Sequence, residues 1–210
     1  MDKNLLNKLA SSLGRRDEMP NQELAKQIVV VSDTASIKVL VESLQDKNRA
    51  IQNDCIKVLY EIGVLQPELI SDYSDSFLSL LNSKNNRLQW GGMTALHCIT
   101  ALKPDEIYAK LPQIIEAADK GSVITKDYAV NILISLAAVP KYTDGAIGLL
   151  KEQLLKSPVN QLPMYAEKVL PVIKKPYQDD FIKLLQERLN DVEKESKRKR
   201  IEKVIKKLLS

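Results

Sequence analysis

The sequence predicts an all-α chain of stacked helical hairpins, and three observations carry that expectation. Leu, Ile, Lys, Glu, Ala and Gln dominate, with seven glycines in 210 residues and no alternating β-branched runs, a composition that favours helix over strand. Apolar residues recur at i, i+3, i+4 and i+7, the spacing of one helical face. The same pattern returns at a constant step of 37 residues, which marks an internal repeat.

The repeat is clearest in the second helix of each unit. One column contains Leu59, Leu96, Leu133 and Leu170, and another Ile62, Ile99, Leu136 and Ile173. Val58, Ala95, Ile132 and Val169 form a third, and Cys55, Gly92, Ala129 and Ala166 a fourth in which every residue is small. The small residues let a neighbouring backbone approach, and the aliphatic ones supply about 1.5–3 kcal/mol each on full burial. The preceding helices repeat as well. Leu44, Leu81, Ala118 and Leu155 form one column, while Leu40, Phe77 and Ile114 form another that Lys151 breaks.

Turn residues fall between these helices, at Asp46-Lys47-Asn48, Ser83 to Asn86, Asp119 to Ser122 and Ser157-Pro158, as tight helical connections require. Pro67, Pro104, Pro140 and Pro176 open first helices, where proline is tolerated. Second helices are expected at 49–64, 86–102, 123–139, 159–174 and 197–209. Residues 4–13 and 22–31 form a less regular pair at the start of the chain. At the other end, Ile201, Val204, Ile205 and Leu208 make one apolar stripe on an otherwise charged helix, as a terminal repeat needs.

A 37-residue unit of two helices resembles the HEAT/armadillo class. The segment NRLQWGGMTALHCI at 86–99 is similar to a HEAT second helix, with an early basic residue followed by a small-and-aliphatic pattern. The resemblance covers residues 34–210. It implies a right-handed α-solenoid of five to six hairpins: a single domain over 1–210 with an N-terminal pair at 1–33, repeats at 34–66, 67–103, 104–140 and 141–175, and a capping repeat at 176–210. Such scaffolds serve many functions, so the fold alone names none.

Composition narrows the functional classes. No stretch of about 18 apolar residues occurs, so no membrane-spanning helix and no membrane partner are expected. The charged first 20 residues lack the order of a secretion signal. Cys55 and Cys98 stand apart, without metal-ligand spacing, which suits a reducing cytoplasm and implies no metal and no cofactor. His97 adjoins Cys98, and adjacent helical side chains diverge by about 100°, so a Cys-His nucleophile is not expected. Gly91-Gly92 lies within a helix and matches no phosphate-binding loop. The adjacent pairs Asp105-Glu106 and Asp179-Asp180 fall at helix starts, where they complement the dipole. No catalytic constellation emerges, and the expectation is a protein that is not an enzyme.

The resemblance directs attention to the face of the second helices opposite the apolar stripe. On a helical wheel this face holds Asn53, Asp54 and Lys57, then Trp90 and Thr94, then Asp127, Tyr128 and Asn131, and finally Tyr165 and Lys168. Tyr60 and His97 fall in a neighbouring column. Trp90, Tyr128 and Tyr165 are of the rigid aromatic kind that anchors protein interfaces. Equally, Trp90 could fill the gap left by Gly91 and Gly92. The partner expected on this face is a protein or peptide. The alternative is nucleic acid, drawn by the basic end from Lys194 to Lys207 or, at the enzymatic extreme, by a sketch of the HEAT-like alkylpurine DNA glycosylases in Arg87, Trp90 and Asp127. A third possibility is a purely structural subunit joined through its terminal repeats.

Overall fold

The computed structural model describes residues 3–210, and every regular element among them is helical. Met1 and Asp2, the start of the expected N-terminal pair, lie outside the described residues. The chain divides into two compact units, Met1–Ala129 and Val130–Ser210.

The first unit contains α1 (Lys3–Leu6), α2 (Met19–Val31), α3 (Thr34–Glu42), α4 (Arg49–Leu65), α5 (Ser74–Leu80), α6 (Asn86–Ile99), α7 (Pro104–Ala109), α8 (Leu111–Lys120) and the start of α9 (Val123–Ala137). Helix α4 packs between α2 and α6, so three second helices lie side by side, with α3 behind α4 and α5 behind α6. Cys55, Val58, Leu59 and Ile62 on α4 are fully buried, as are Ala95, Leu96 and Ile99 on α6.

First helices are broken where the sequence suggests continuous ones. A 3₁₀ turn over Pro67–Tyr73 precedes α5, and α7 stops at Ala109 before α8 begins. Pro112 accounts for the second break. It lacks the N–H for a bond to Tyr108, and its ring crowds that carbonyl. The N-terminal pair also departs from expectation, since helix ends at Leu6 rather than near Leu13. The amide of Ala10 donates to the Asn21 side chain (3.0 Å) and that of Ser11 to Asp54 (2.8 Å), so neither follows a helical ladder. Gly14, with φ of +69°, turns the chain onward.

The turns carry a further repeated column. Asn48 caps α4 by accepting from Ala50 N, Asn85 caps α6 by accepting from Arg87 N, and the Ser122 hydroxyl accepts from Thr125 N. Asn85 also donates to Gln52 (3.1 Å) and Asn53 (2.9 Å), tying the start of α6 to α4.

The second unit holds the rest of α9, then α10 (Thr143–Lys156), α11 (Leu162–Val169), α12 (Lys175–Leu189) and α13 (Glu195–Leu209). Its first helix shifts the expected register by one residue. Leu150 and Leu154 are fully buried, whereas Leu155 is 50% exposed. Lys151 reaches Asp180 at 2.5 Å instead of interrupting the core. The cap column lapses at Val159, and α11 starts only at Leu162, without a side-chain cap. Leu170 therefore falls in a 3₁₀ turn, Leu170–Val172, and is only half-buried.

Much of the basic end serves this unit's own packing. Arg200 grips both oxygens of Glu167 (2.8 and 2.6 Å), Arg198 binds the carbonyls of Leu189 and Val192, and Lys197 bonds Asn160. Lys203, Lys206 and Lys207 remain exposed.

Asn85→Ala removes a cap and two inter-helix bonds, whereas Asn48→Ala removes a cap alone. Urea denaturation followed by helical circular dichroism is expected to show a cost of about 1–2 kcal/mol for Asn85→Ala, larger than that of Asn48→Ala. Equal costs would contradict the bridging role.

Candidate functional site

The outward face of α4 and α6 gathers aromatic and charged side chains. Tyr60, only 7% exposed, meets the half-buried Trp90 with ring centroids 5.7 Å apart and planes tilted by 48°. His97 and Tyr128 form a second tilted pair, also at 5.7 Å. Two cations lie against the first pair: the Lys57 ammonium is 4.8 Å from the Tyr60 centroid, and the Arg87 guanidinium 5.3 Å from that of Trp90. Both are geometries of cation–π attraction.

A carboxylate joins the two cations. Glu18, from the residue preceding α2, lies 2.8 Å from Lys57 and pairs also with Arg87. Lys57 has a second partner in Glu61, one helical turn on, at 2.6 Å. Burial alone would lower the Lys57 ammonium below its usual range. Its bonds to Glu61 and Tyr60 outweigh that effect and hold the pKa above 10.5. Burial pushes the Tyr60 phenol up against the opposing pull of Lys57, and it lowers Arg87.

Trp90 does not fill the glycine gap. A side chain at Gly91 would come within 2.6 Å of Ile56, and one at Gly92 within 2.9 Å of the Phe77 carbonyl. Neighbouring helices occupy that space, which leaves Trp90 half-buried on the outer face.

The expected face residues separate into groups. In the first unit Asn53, Asp54, Trp90, Asp127 and Tyr128 are partly exposed. Asn53 accepts from Asn85, and Asp54 from Asn21 and Ser11, so both hold structure together. Lys57 is 5% exposed and Thr94 1%, with the Thr94 hydroxyl donating to the Trp90 carbonyl. These two are corrections to the wheel, which treats a helix as isolated, whereas here adjacent second helices cover their flanks. The Lys57 ammonium ends between Glu18 and Glu61, which are the partly exposed members of this group. In the second unit Asn131 and Lys168 are partly exposed and bonded to each other at 3.0 Å. Tyr165 is 1% exposed, a core residue rather than a surface anchor, on a helix against which α13 packs.

Glu18 and Glu61 belong to the cluster without having been singled out. Tyr60 and His97 lay one step apart in the neighbouring column, a usable signal. Glu18 carried none, because its placement depends on the fold of residues 7–18. Both thiols are buried deeply enough to be pushed up to about 12, so neither Cys55 nor Cys98 is a thiolate nucleophile at neutral pH. Among the described residues no group of His, Cys, Asp and Glu is arranged to hold a metal ion, and no single helix is long and apolar enough to cross a membrane.

Solved structures share this architecture over nearly the whole chain. A computationally designed armadillo repeat protein for modular peptide recognition is 15% identical with a TM-score of 0.60, over 97% of this chain and 98% of that one. A further designed armadillo repeat protein is 14% identical, with a TM-score of 0.59 over 98% of each chain. An engineered protein is 19% identical, with a TM-score of 0.60 over 99% of each. The chain has a HEAT/armadillo-like helical repeat fold. No family model matches this repeat sequence, and no curated protein does. At these identities the likeness describes the repeat fold and not its ligand.

The raised Lys57 pKa has a consequence for stability. A folded value above the unfolded 10.5 contributes stability that is fully present below pH 10.5 and is lost as pH climbs through the folded value. The fall in stability between pH 9 and pH 11.5 is expected to be smaller in Lys57→Met than in the native chain, by urea denaturation at each pH. Identical falls would show that the ammonium is not held as described.

Proposed function

We propose that the chain is a non-enzymatic interaction module that binds an extended segment of another protein along the aromatic face of its first unit. The observation that carries this reading is the partly exposed set Trp90, His97 and Tyr128 on packed helices, with the Trp90 ring backed by the buried Tyr60. Rigid aromatic side chains give large contact area at little entropic cost, which is why they dominate binding energy at interfaces. The helices beneath them are fixed by core packing, so little ordering is needed on binding. Support in kind comes from the designed neighbour whose stated purpose is modular peptide recognition. Two free cysteines suit a reducing compartment, and we place the protein in the cytoplasm on that basis.

Nucleic acid finds less to hold. Arg87, Lys57 and Arg200 are each paired with a carboxylate of this chain, which leaves Lys203, Lys206 and Lys207 as exposed cations of the basic end for phosphates to meet.

Trp90 is the only tryptophan, so its emission reports directly on this face. Dodecapeptides selected from a random displayed library on the native chain are expected to shift Trp90 emission on binding. Trp90→Phe with Tyr128→Ala should weaken them at least about tenfold while leaving helical circular dichroism unchanged. Peptides that bind both chains equally would contradict the assignment of this face. Salt-sensitive binding of duplex DNA in their place would favour the nucleic-acid alternative.

A further inference from the structure

We propose that Lys57 and Arg87 form a carboxylate-binding site that Glu18 occupies from within the chain, and that an acidic residue of a partner peptide displaces Glu18 on binding. The inference rests on the reading of this face as peptide-binding and names the side chain it selects.

Glu18 stands where a helix cap belongs. It occupies the N-cap position of α2, yet its side chain makes no capping bond. A side-chain cap there would stabilise the helix start. Glu18 instead reaches across to two cations on α4 and α6. The contact therefore looks like that of a ligand rather than of a helix terminus.

The occupancy is incomplete. Glu18 takes one terminal nitrogen of Arg87, while Arg87 Nε is buried without a hydrogen-bond partner. A guanidinium offers two parallel donors matched to a carboxylate, and one edge of this fork is unused. Ser11 Oγ is a second buried atom without a partner. Both residues line a pocket of about 170 Å³ whose wall also carries Arg15 and Arg16 and the carboxylates of Asp17, Glu18 and Asp54; Arg15 already holds Asp17, and Asp54 is held by Ser11 and Asn21. Buried donors left unsatisfied cost free energy, so a ligand supplying acceptors gains more here than on open surface.

Displacement is also feasible. If Glu18 leaves, Lys57 keeps Glu61 at 2.6 Å, so the buried ammonium is not stranded. Arg87 loses its carboxylate and needs another, which makes the exchange selective for an acidic residue. Residues 12–17, which lead into Glu18, are exposed, so its movement disturbs surface chain rather than core. Ser11 and Asn21, on either side, stay anchored to Asp54. An occupant tethered in the same chain competes at high effective concentration and lowers the apparent affinity of any outside ligand.

The test uses the full chain and fluorescent nonapeptide pools, each with a fixed central Glu, Gln or Lys and mixed residues elsewhere, read by anisotropy. The Glu-centred pool is expected to bind the native chain more tightly than the Gln-centred pool. Glu18→Gln should tighten the Glu-centred pool about tenfold and leave the Gln-centred pool unchanged. Glu18→Ser, which supplies a better cap for α2, should behave alike, so a loosened helix start cannot mimic the effect. Arg87→Gln should abolish the preference for Glu. Pools that bind with no preference for Glu, or an affinity unmoved by both Glu18 variants, would overturn the carboxylate site while leaving the peptide-binding face standing. Absence of binding by every pool, with Trp90 emission unchanged, would remove both.

Discussion

The backbone of α6 lies so close to its neighbours that no side chain fits at Gly91 or Gly92. Ile56 of α4 occupies one space, and the Phe77 carbonyl and Leu80 of α5 bound the other. Core packing of this density leaves few alternative positions for a helix. Because α6 is held on its inner side, the residues on its outer side are held as well. Trp90 immediately precedes the glycine pair, so its ring is presented by the same contact. Arg87 lies one turn before it and places its guanidinium over that ring. The distance between the two backbones thus sets where Tyr60, from α4, meets Trp90, from α6.

A buried ammonium is the second constraint. Lys57 is 5% exposed and satisfied by Glu18, Glu61 and the Tyr60 ring. Buried ion pairs seldom add net stability, since desolvation offsets much of their attraction, but breaking one is expensive because it strands a charge. The presence of two carboxylates around Lys57 means that one can leave without that penalty. Arg87 is placed differently, with a single carboxylate and an unpartnered Nε. This asymmetry places the proposed exchange on the Arg87 side.

Much of the fold was legible because one step of 37 placed apolar residues on the same helical face four times. The columns through Val58, Leu59 and Ile62 reappear as fully buried residues in α4 and α6. Departures occur where local chemistry outweighs periodicity. Pro112 splits a first helix, the lost cap at Val159 shortens α11, and the register shift that buries Leu154 exposes Leu155. The candidate face was less legible. A wheel locates the side opposite the core but not how far the next helix covers it, so Thr94 and Tyr165 proved buried. Glu18 came from outside the repeat altogether, carried there by a turn that Asn21 and Asp54 hold through side-chain bonds.

The central claim is that a partner lies on the aromatic face of the first unit rather than along the exposed apolar edge at Val64, Leu65 and Leu102. Proton–nitrogen correlation spectra of the labelled chain, recorded with a selected peptide, test this most directly. The single indole cross-peak of Trp90 should move, together with amides of residues 53–61 and 87–97. Shifts confined to residues 63–66 and 100–103, with the Trp90 indole unmoved, would contradict the account.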